Sequence, residues 1–196
     1  MKKLLITGFD PFGGQSVNPS WEAVRLLPKR IGAYELTRLE IPTVYVEGAA
    51  RILRAAEELH PDVILSIGQA GGRRGITPEV VGINLREARI PDNSGFQPVN
   101  EPIAPDGPAA YFATVPVRAM VAAMTAAGLP CALSYTAGAF VCNDVLYTLL
   151  HRCHGTTVRA GFIHVPFLPG QAGEGVPSMP LEDIVRGLTL CVGALD

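Results

Sequence analysis

A chain of 196 residues is long enough for one sizeable domain with a substantial core, at roughly 150 residues per domain, and too large to be a disulfide-stapled mini-protein. Lysine and arginine number 16 against 18 aspartates and glutamates, so the net charge is −2 and no basic surface recommends nucleic acid or an anionic membrane as partner. Apolar residues at 48% exclude disorder, while 21 glycines and 17 prolines promise many tight turns.

In chain order, Lys2 and Lys3 precede only Leu4-Leu5-Ile6 before Thr7-Gly8, which predicts a first strand over 4–6 and is too short for a secretory signal; a cytoplasmic location is expected. Asn18 as N-cap and Pro19 at the first helical position open a helix over 21–27. A strand over 35–41 follows, then a helix over 47–59 with Ile52, Ala56 and Leu59 on one side, then a strand over 63–67. An extra strand is expected over 80–85. The stretch 89–108 is rich in Pro, Asn, Asp and Gly and reads as a long loop, a feature that is usually functional.

Beyond it, helices are predicted over 117–127, 143–152 and 181–192, and strands over 131–135 and 162–165. Residues 119–141 carry no charge, long enough to suggest a membrane span, but Gly128-Leu129-Pro130 divides them into helix, turn and buried strand. Strand alternating with helix is the βαβ signature. It predicts an α/β fold with a mostly parallel twisted sheet covered on both faces, in a single domain over 1–196, with ligands bound beyond the carboxyl ends of the strands.

The four cysteines, Cys131, Cys142, Cys153 and Cys191, form no C-x-x-C pair and read as free thiols of a reducing compartment. Cys142 stands out in Ala137-Gly138-Ala139-Phe140-Val141-Cys142-Asn143-Asp144, which opens a helix after a strand. There the helix dipole and unpaired backbone N–H groups favour thiolate, the nucleophilic form, although a small buried core residue is the competing reading. A nucleophile needs a base. His60 ends a helix, and His151 and His154 flank Cys153 at another helix end without a further ligand, so no metal site is expected. His164 lies at the end of an apolar strand, on the rim where substrates sit. Six carboxylates near turns, Asp10, Asp62, Glu79, Asp92, Glu101 and Asp144, are candidates to orient the imidazole, and spacing does not choose among them.

Two glycine-rich corners remain, Gly8-Phe9-Asp10-Pro11-Phe12-Gly13-Gly14 and Gly68-Gln69-Ala70-Gly71-Gly72. Neither matches a dinucleotide or nucleoside-triphosphate fingerprint, so no such cofactor is expected. Phe9 and Phe12, with Phe140 beside Cys142, suggest an apolar pocket.

These two corners, the second running on to Arg73, together with Asn18-Pro19-Ser20, Arg89-Ile90-Pro91-Asp92-Asn93, Gly138-Ala139-Phe140-Val141-Cys142-Asn143 and His164-Val165-Pro166, closely resemble the pyroglutamyl peptidase type I family, in order from residue 4 to about 168. The resemblance implies an α/β/α sandwich of the phosphorylase/hydrolase kind. It implies a cytoplasmic thiol exopeptidase that removes N-terminal 5-oxoproline from peptides, uses no metal or cofactor and assembles as a homotetramer. It places the family's triad on Cys142 as nucleophile, His164 as base and Glu79 as orienting carboxylate. The stretch between Cys142 and His164 looks slightly short for the family, and the match beyond residue 170 looks poor.

Pyroglutamate is a neutral lactam, so its pocket needs apolar walls and a few amide-type hydrogen bonds. Phe9, Phe12 and Phe140 are expected to form the walls, and Gln69, steadied by Asn18, to pair with the lactam. Arg89 is a candidate oxyanion donor beside backbone N–H groups. Two other classes share these features: a phosphorolytic enzyme acting on nucleosides, and a non-catalytic small-molecule binding module.

Overall fold

The strands of this chain alternate in which helices they feel, and that alternation builds the layers. In the computed structural model, which describes residues 1–196, β1 (Lys2–Phe9) turns Leu4 and Ile6 to one face and Leu5 and Phe9 to the other. β4 (Val63–Gln69) and β8 (Arg159–Val165) repeat the pattern: Val63, Leu65, Ile67, Ile163 and Val165 join one core, while Ile64, Ala160 and Phe162 join the other. The first core is closed by α1 (Pro19–Leu26), α3 (Val117–Ala126) and α5 (Leu181–Gly193), and the second by α2 (Glu47–Leu59) and α4 (Val141–Cys153). The expected α/β/α sandwich is therefore present.

With β2 (Arg30–Ile31), β3 (Tyr34–Ile41) and β5 (Thr77–Pro78), the sheet order is β2-β3-β1-β4-β8-β5. The four central strands are parallel, and the short edge strands β2 and β5 are antiparallel to their neighbours.

Two expectations change. The strand expected over 80–85 shortens to β6 (Val81–Ile83), which leaves the sheet and pairs with β7 (Ala110–Phe112), a strand hidden in sequence behind the long loop, while Thr77 and Pro78 before it take the edge beside β8. Residues 131–135 run alongside β5 only as isolated bridges. Ile76 and Val80 donate to Pro130 and Ser134 carbonyls there, but Pro78 between them has no N–H to give, which interrupts the ladder. The long loop is pinned by side chains. Asn84 bonds the backbone of Ala104 and Gly107, and Asp92 accepts from Tyr45, Ser94 and Phe96 N–H groups.

Candidate active site

β8 points even-numbered side chains toward α4, so His164 shares a face with Phe162, the two rings 4.8 Å apart. On the neighbouring strand, Gly68 is the register partner of His164. Gly68 is glycine for a steric reason: a Cβ there would stand 2.9 Å from Cys142 Sγ and 2.7 Å from the Phe162 ring. The sulfur thus lies over the carboxyl end of the sheet, on the face that His164 occupies. Thr77 and Pro78 pair antiparallel with His164 and Ile163, and Glu79 N–H donates to the Phe162 carbonyl, which brings the Glu79 carboxylate to the imidazole. His164 Nδ1 and Glu79 Oε1 are 2.7 Å apart in a buried contact. Cys142, His164 and Glu79 are therefore brought together. No hydrogen bond joins Cys142 Sγ to His164, whose Nε2 has no protein partner either.

Cys142 is the second residue of α4. Phe140, the N-cap, has extended backbone and no side-chain cap bond, and the first N–H groups to reach its carbonyl are those of Asn143 and Asp144. The N–H groups of Val141 and Cys142 are left for a ligand. Asn143 and Asp144 fix this helix start. Asn143 accepts from Ile83 N–H and donates to the Ile83 and Leu85 carbonyls, while buried Asp144 accepts from Arg86 Nε at 2.6 Å and from Val46 N–H at 2.9 Å.

The electrostatics differ from the simple dipole expectation. Burial, and after it the nearby Glu79 charge, push the Cys142 thiol up to about 12, against the smaller lowering effects of Arg73 and its own backbone N–H. Burial also lowers His164 below an ordinary imidazole, despite the opposing hydrogen bond to Glu79. Burial raises Glu79, but the hydrogen bond to His164 first, with Arg73 among the smaller causes, outweighs that and holds its carboxyl below the usual range. The resting site is a neutral thiol beside a neutral imidazole that faces a carboxylate. Helix-dipole stabilisation of a thiolate is outweighed by desolvation.

Two cavities meet at a ridge of Phe12, Arg89 and Ile90. One of about 230 Å³ is completed by Glu87, Ala139 and Phe140; the other, of about 390 Å³, by Gln15, Gln69, Gly71 and Phe167. Phe12 and Phe140 lie 6.0 Å apart, and Tyr45 stands edge-on to Phe140 at 5.5 Å, its hydroxyl donating to the Ala139 carbonyl. Phe12 and Arg89 line both cavities, Phe140 the smaller and Gln69 the larger, although Gln69 Oε1 already accepts from Gln171 Nε2.

Phe9 and Asn18 do not line them. Phe9 is 2% exposed and packs against Phe162 in the core. Asn18, also 2% exposed, spends its oxygen on Ser20 and its amide on the Asp10 carbonyl, capping α1 and holding the first corner from behind. Ile90 and Phe167 also line the cavities, without a sequence expectation, while Tyr45, itself buried, backs Phe140 and lines neither. Ile90 lies within the Arg89-Ile90-Pro91-Asp92-Asn93 motif and Phe167 directly follows His164-Val165-Pro166, whereas nothing local marks Tyr45. A larger cavity, about 480 Å³, sits between Lys2, Asp62, Arg159 and Asp196 at the opposite end of the strands, where Asp196 pairs with Lys2 and Arg159 with the Leu195 carbonyl.

A cysteine at a helix start, a histidine at a strand end and a buried carboxylate behind it, on a doubly covered parallel sheet, define a thiol hydrolase of the α/β/α class. The family model for pyroglutamyl peptidase matches residues 2–196, so the C-terminal part, expected to match poorly, belongs to it as well. A pyrrolidone-carboxylate peptidase of Levilactobacillus brevis is 53% identical over 98% of this chain and 97% of its own length. One from Vibrio vulnificus is 50% identical over 97% of this chain and 91% of its own. Pyroglutamyl peptidase I of Bacillus amyloliquefaciens superposes with a TM-score of 0.96 at 46% identity, covering 100% of this chain and 97% of that one. The chain belongs to the pyroglutamyl peptidase family, the cysteine peptidases that remove N-terminal pyroglutamate, and a phosphorolytic activity is not favoured.

Proposed function

We propose that Cys142 is the nucleophile, His164 the general base and acid, and Glu79 the carboxylate that orients the imidazole, in one domain spanning residues 1–196. The observation that carries this reading is the 2.7 Å contact between His164 Nδ1 and Glu79 Oε1, with Cys142 Sγ held over Gly68, the strand partner of His164. With Nδ1–H donated to Glu79, Nε2 is left unprotonated to receive a proton.

Because the resting thiol is protonated, its proton passes to Nε2 as sulfur attacks the carbonyl that follows pyroglutamate. Burial disfavours a standing ion pair but leaves one accessible in the transition state, where Glu79 stabilises the imidazolium. The oxyanion is met by the Val141 and Cys142 N–H groups at the start of α4, with Arg89 at the cavity ridge as a further donor. Nε2–H then protonates the leaving amine, and water, deprotonated by His164, cleaves the thioester to free 5-oxoproline.

Phe12, Ile90 and Phe140 suit a neutral lactam ring, with Tyr45 buried behind Phe140, and the Gln69 amide is a candidate partner for its polar edge. An open-chain glutamate or glutamine would bring an ammonium into this apolar slot, and its desolvation rejects it. Phe9 and Asn18 support this slot from behind.

The substrates are N-terminally pyroglutamylated peptides, met in the cytoplasm by a homotetramer. The family likeness supports both, and no helix is long and apolar enough to cross a membrane. A pyroglutamyl amide with a chromophoric leaving group tests the chemistry: hydrolysis is expected from the parent, and loss after iodoacetamide or in Cys142→Ala. Turnover near the parent's in Cys142→Ala refutes the mechanism. Mass measurement in solution tests the tetramer.

A further inference from the structure

Glu79 is fully buried, and its two oxygens are unequally served. Oε1 is shared between His164 Nδ1 and Arg73 Nη1, both at 2.7 Å, whereas Oε2 has no hydrogen-bond partner at all. Ser134 lies across a strand bridge from Glu79, but its hydroxyl is spent on the Thr136 carbonyl. A carboxylate so deeply buried is costly unless a charge pairs with it. His164 donates a hydrogen bond but brings no charge while its ring is neutral. Arg73 is the one permanently charged group in contact.

We infer that Arg73 is a positioning residue for catalysis: its guanidinium is the resident counter-charge that keeps Glu79 an anion, and so an acceptor for His164 Nδ1–H, in the resting enzyme. This rests on the triad reading proposed above.

The second glycine-rich corner aims it. Gly72 has φ of +85°, open to glycine but strained for other residues, and a Cβ at Gly71 would stand 2.3 Å from the Phe167 ring. The chain therefore doubles back after β4 and returns Arg73 beside β5. There Thr77 Oγ1 accepts from Nη1, and the Thr136 carbonyl accepts from Nη2 at 3.1 Å, fixing the plane of the fork. Without this cation the buried carboxylate keeps only the neutral imidazole's hydrogen bond, and its protonation becomes easier. A protonated Glu79 donates to Nδ1 as readily as it accepts, Nε2 then carries the imidazole proton, and the base is lost. Arg73 touches no reacting atom; beside a small direct pull on the Cys142 thiol, it acts through Glu79 and His164.

The test is a double-mutant cycle on the full-length enzyme with the chromogenic pyroglutamyl amide. Arg73→Met is expected to lower kcat by roughly 10- to 100-fold, as loss of an outer partner of a functional group does, with KM within about threefold and a folded circular-dichroism spectrum. Arg73→Lys, which restores the charge but not the fork, is expected to recover most of that loss. In a Glu79→Gln background Arg73→Met is expected to cost less than about threefold more, because the charge then has nothing to hold. The inference is overturned if Arg73→Met retains kcat, if its loss appears in KM, if Lys rescues nothing, or if the losses at 73 and 79 multiply. If Glu79→Gln itself keeps parental kcat, the triad reading fails instead, and the two failures are distinct.

Discussion

Gly68→Ala adds one methyl group at the point where the nucleophile rests on the sheet. The new Cβ would stand 2.9 Å from Cys142 Sγ, 2.7 Å from Phe162 Cζ and 2.8 Å from its Cε1. Non-bonded carbon contacts settle near 3.5–4.0 Å, so a neighbour must retreat by about 1 Å. Phe162 is fully buried between Phe9, 6.1 Å away, and His164, 4.8 Å away, and it has nowhere to go. Cys142, a half-buried residue at the start of α4, is the neighbour that moves. A shift of that size at the attacking atom costs about 100-fold in kcat, and the residual strain about 1–3 kcal/mol of stability. The measurements are kcat with the chromogenic amide, the rate of iodoacetamide alkylation and the melting temperature. Gly170→Ala serves as control because a Cβ there meets nothing within 4 Å. A Gly68→Ala enzyme with kcat within threefold of the parent and an unchanged melting temperature refutes the placement of Cys142 over Gly68.

His164 must be neutral to act as base, and burial lowers it, so the acid limb of kcat/KM is expected below pH about 6.5, the ordinary imidazole value; a limb above 7 contradicts this. The same shift carries a stability consequence. The unfolded chain holds that proton more tightly, so stability present above about pH 6.5 drains as pH falls below it, which denaturant titrations from pH 8 to 5 will register. Asp144→Asn leaves Arg86 without its buried partner and weakens the clamp on Val46, a valine held at φ 64°, so a loss of about 3 kcal/mol is expected in urea unfolding. Phe140→Ala removes the wall shared with Phe12 and Tyr45, and is expected to raise KM for pyroglutamyl amides about tenfold or more with a smaller change in kcat; an unchanged KM would place the lactam elsewhere.

Local pattern accounts for what could be read in advance. The helix at 47–59 was legible because Ile52, Ala56 and Leu59 repeat at helical spacing, and the central strands because their apolar runs are bounded by turns. Cys142 was marked by its corner, and His164 by being the one polar side chain in an apolar strand. β7 was not legible, because three residues paired with a strand 27 or more positions earlier leave no periodic trace.

Glu79 shows where a local reading stops. Six carboxylates near turns were equivalent by spacing. What separates them is an antiparallel pairing of Thr77 with His164, a contact across 87 positions that depends on β8 being the sheet's last long strand. Arg73 was hidden for a related reason. Arg73 closes the Gly68-Gln69-Ala70-Gly71-Gly72 motif, but a glycine pair reads as a turn and gives the cation after it no role until the fold sets a buried carboxylate 2.7 Å away. Residue identity can nominate the groups that do chemistry. The groups that hold them in the right charge state are selected by strand register, so in this fold the support for the site has to be read from the pairing of β5 with β8 and not from any motif.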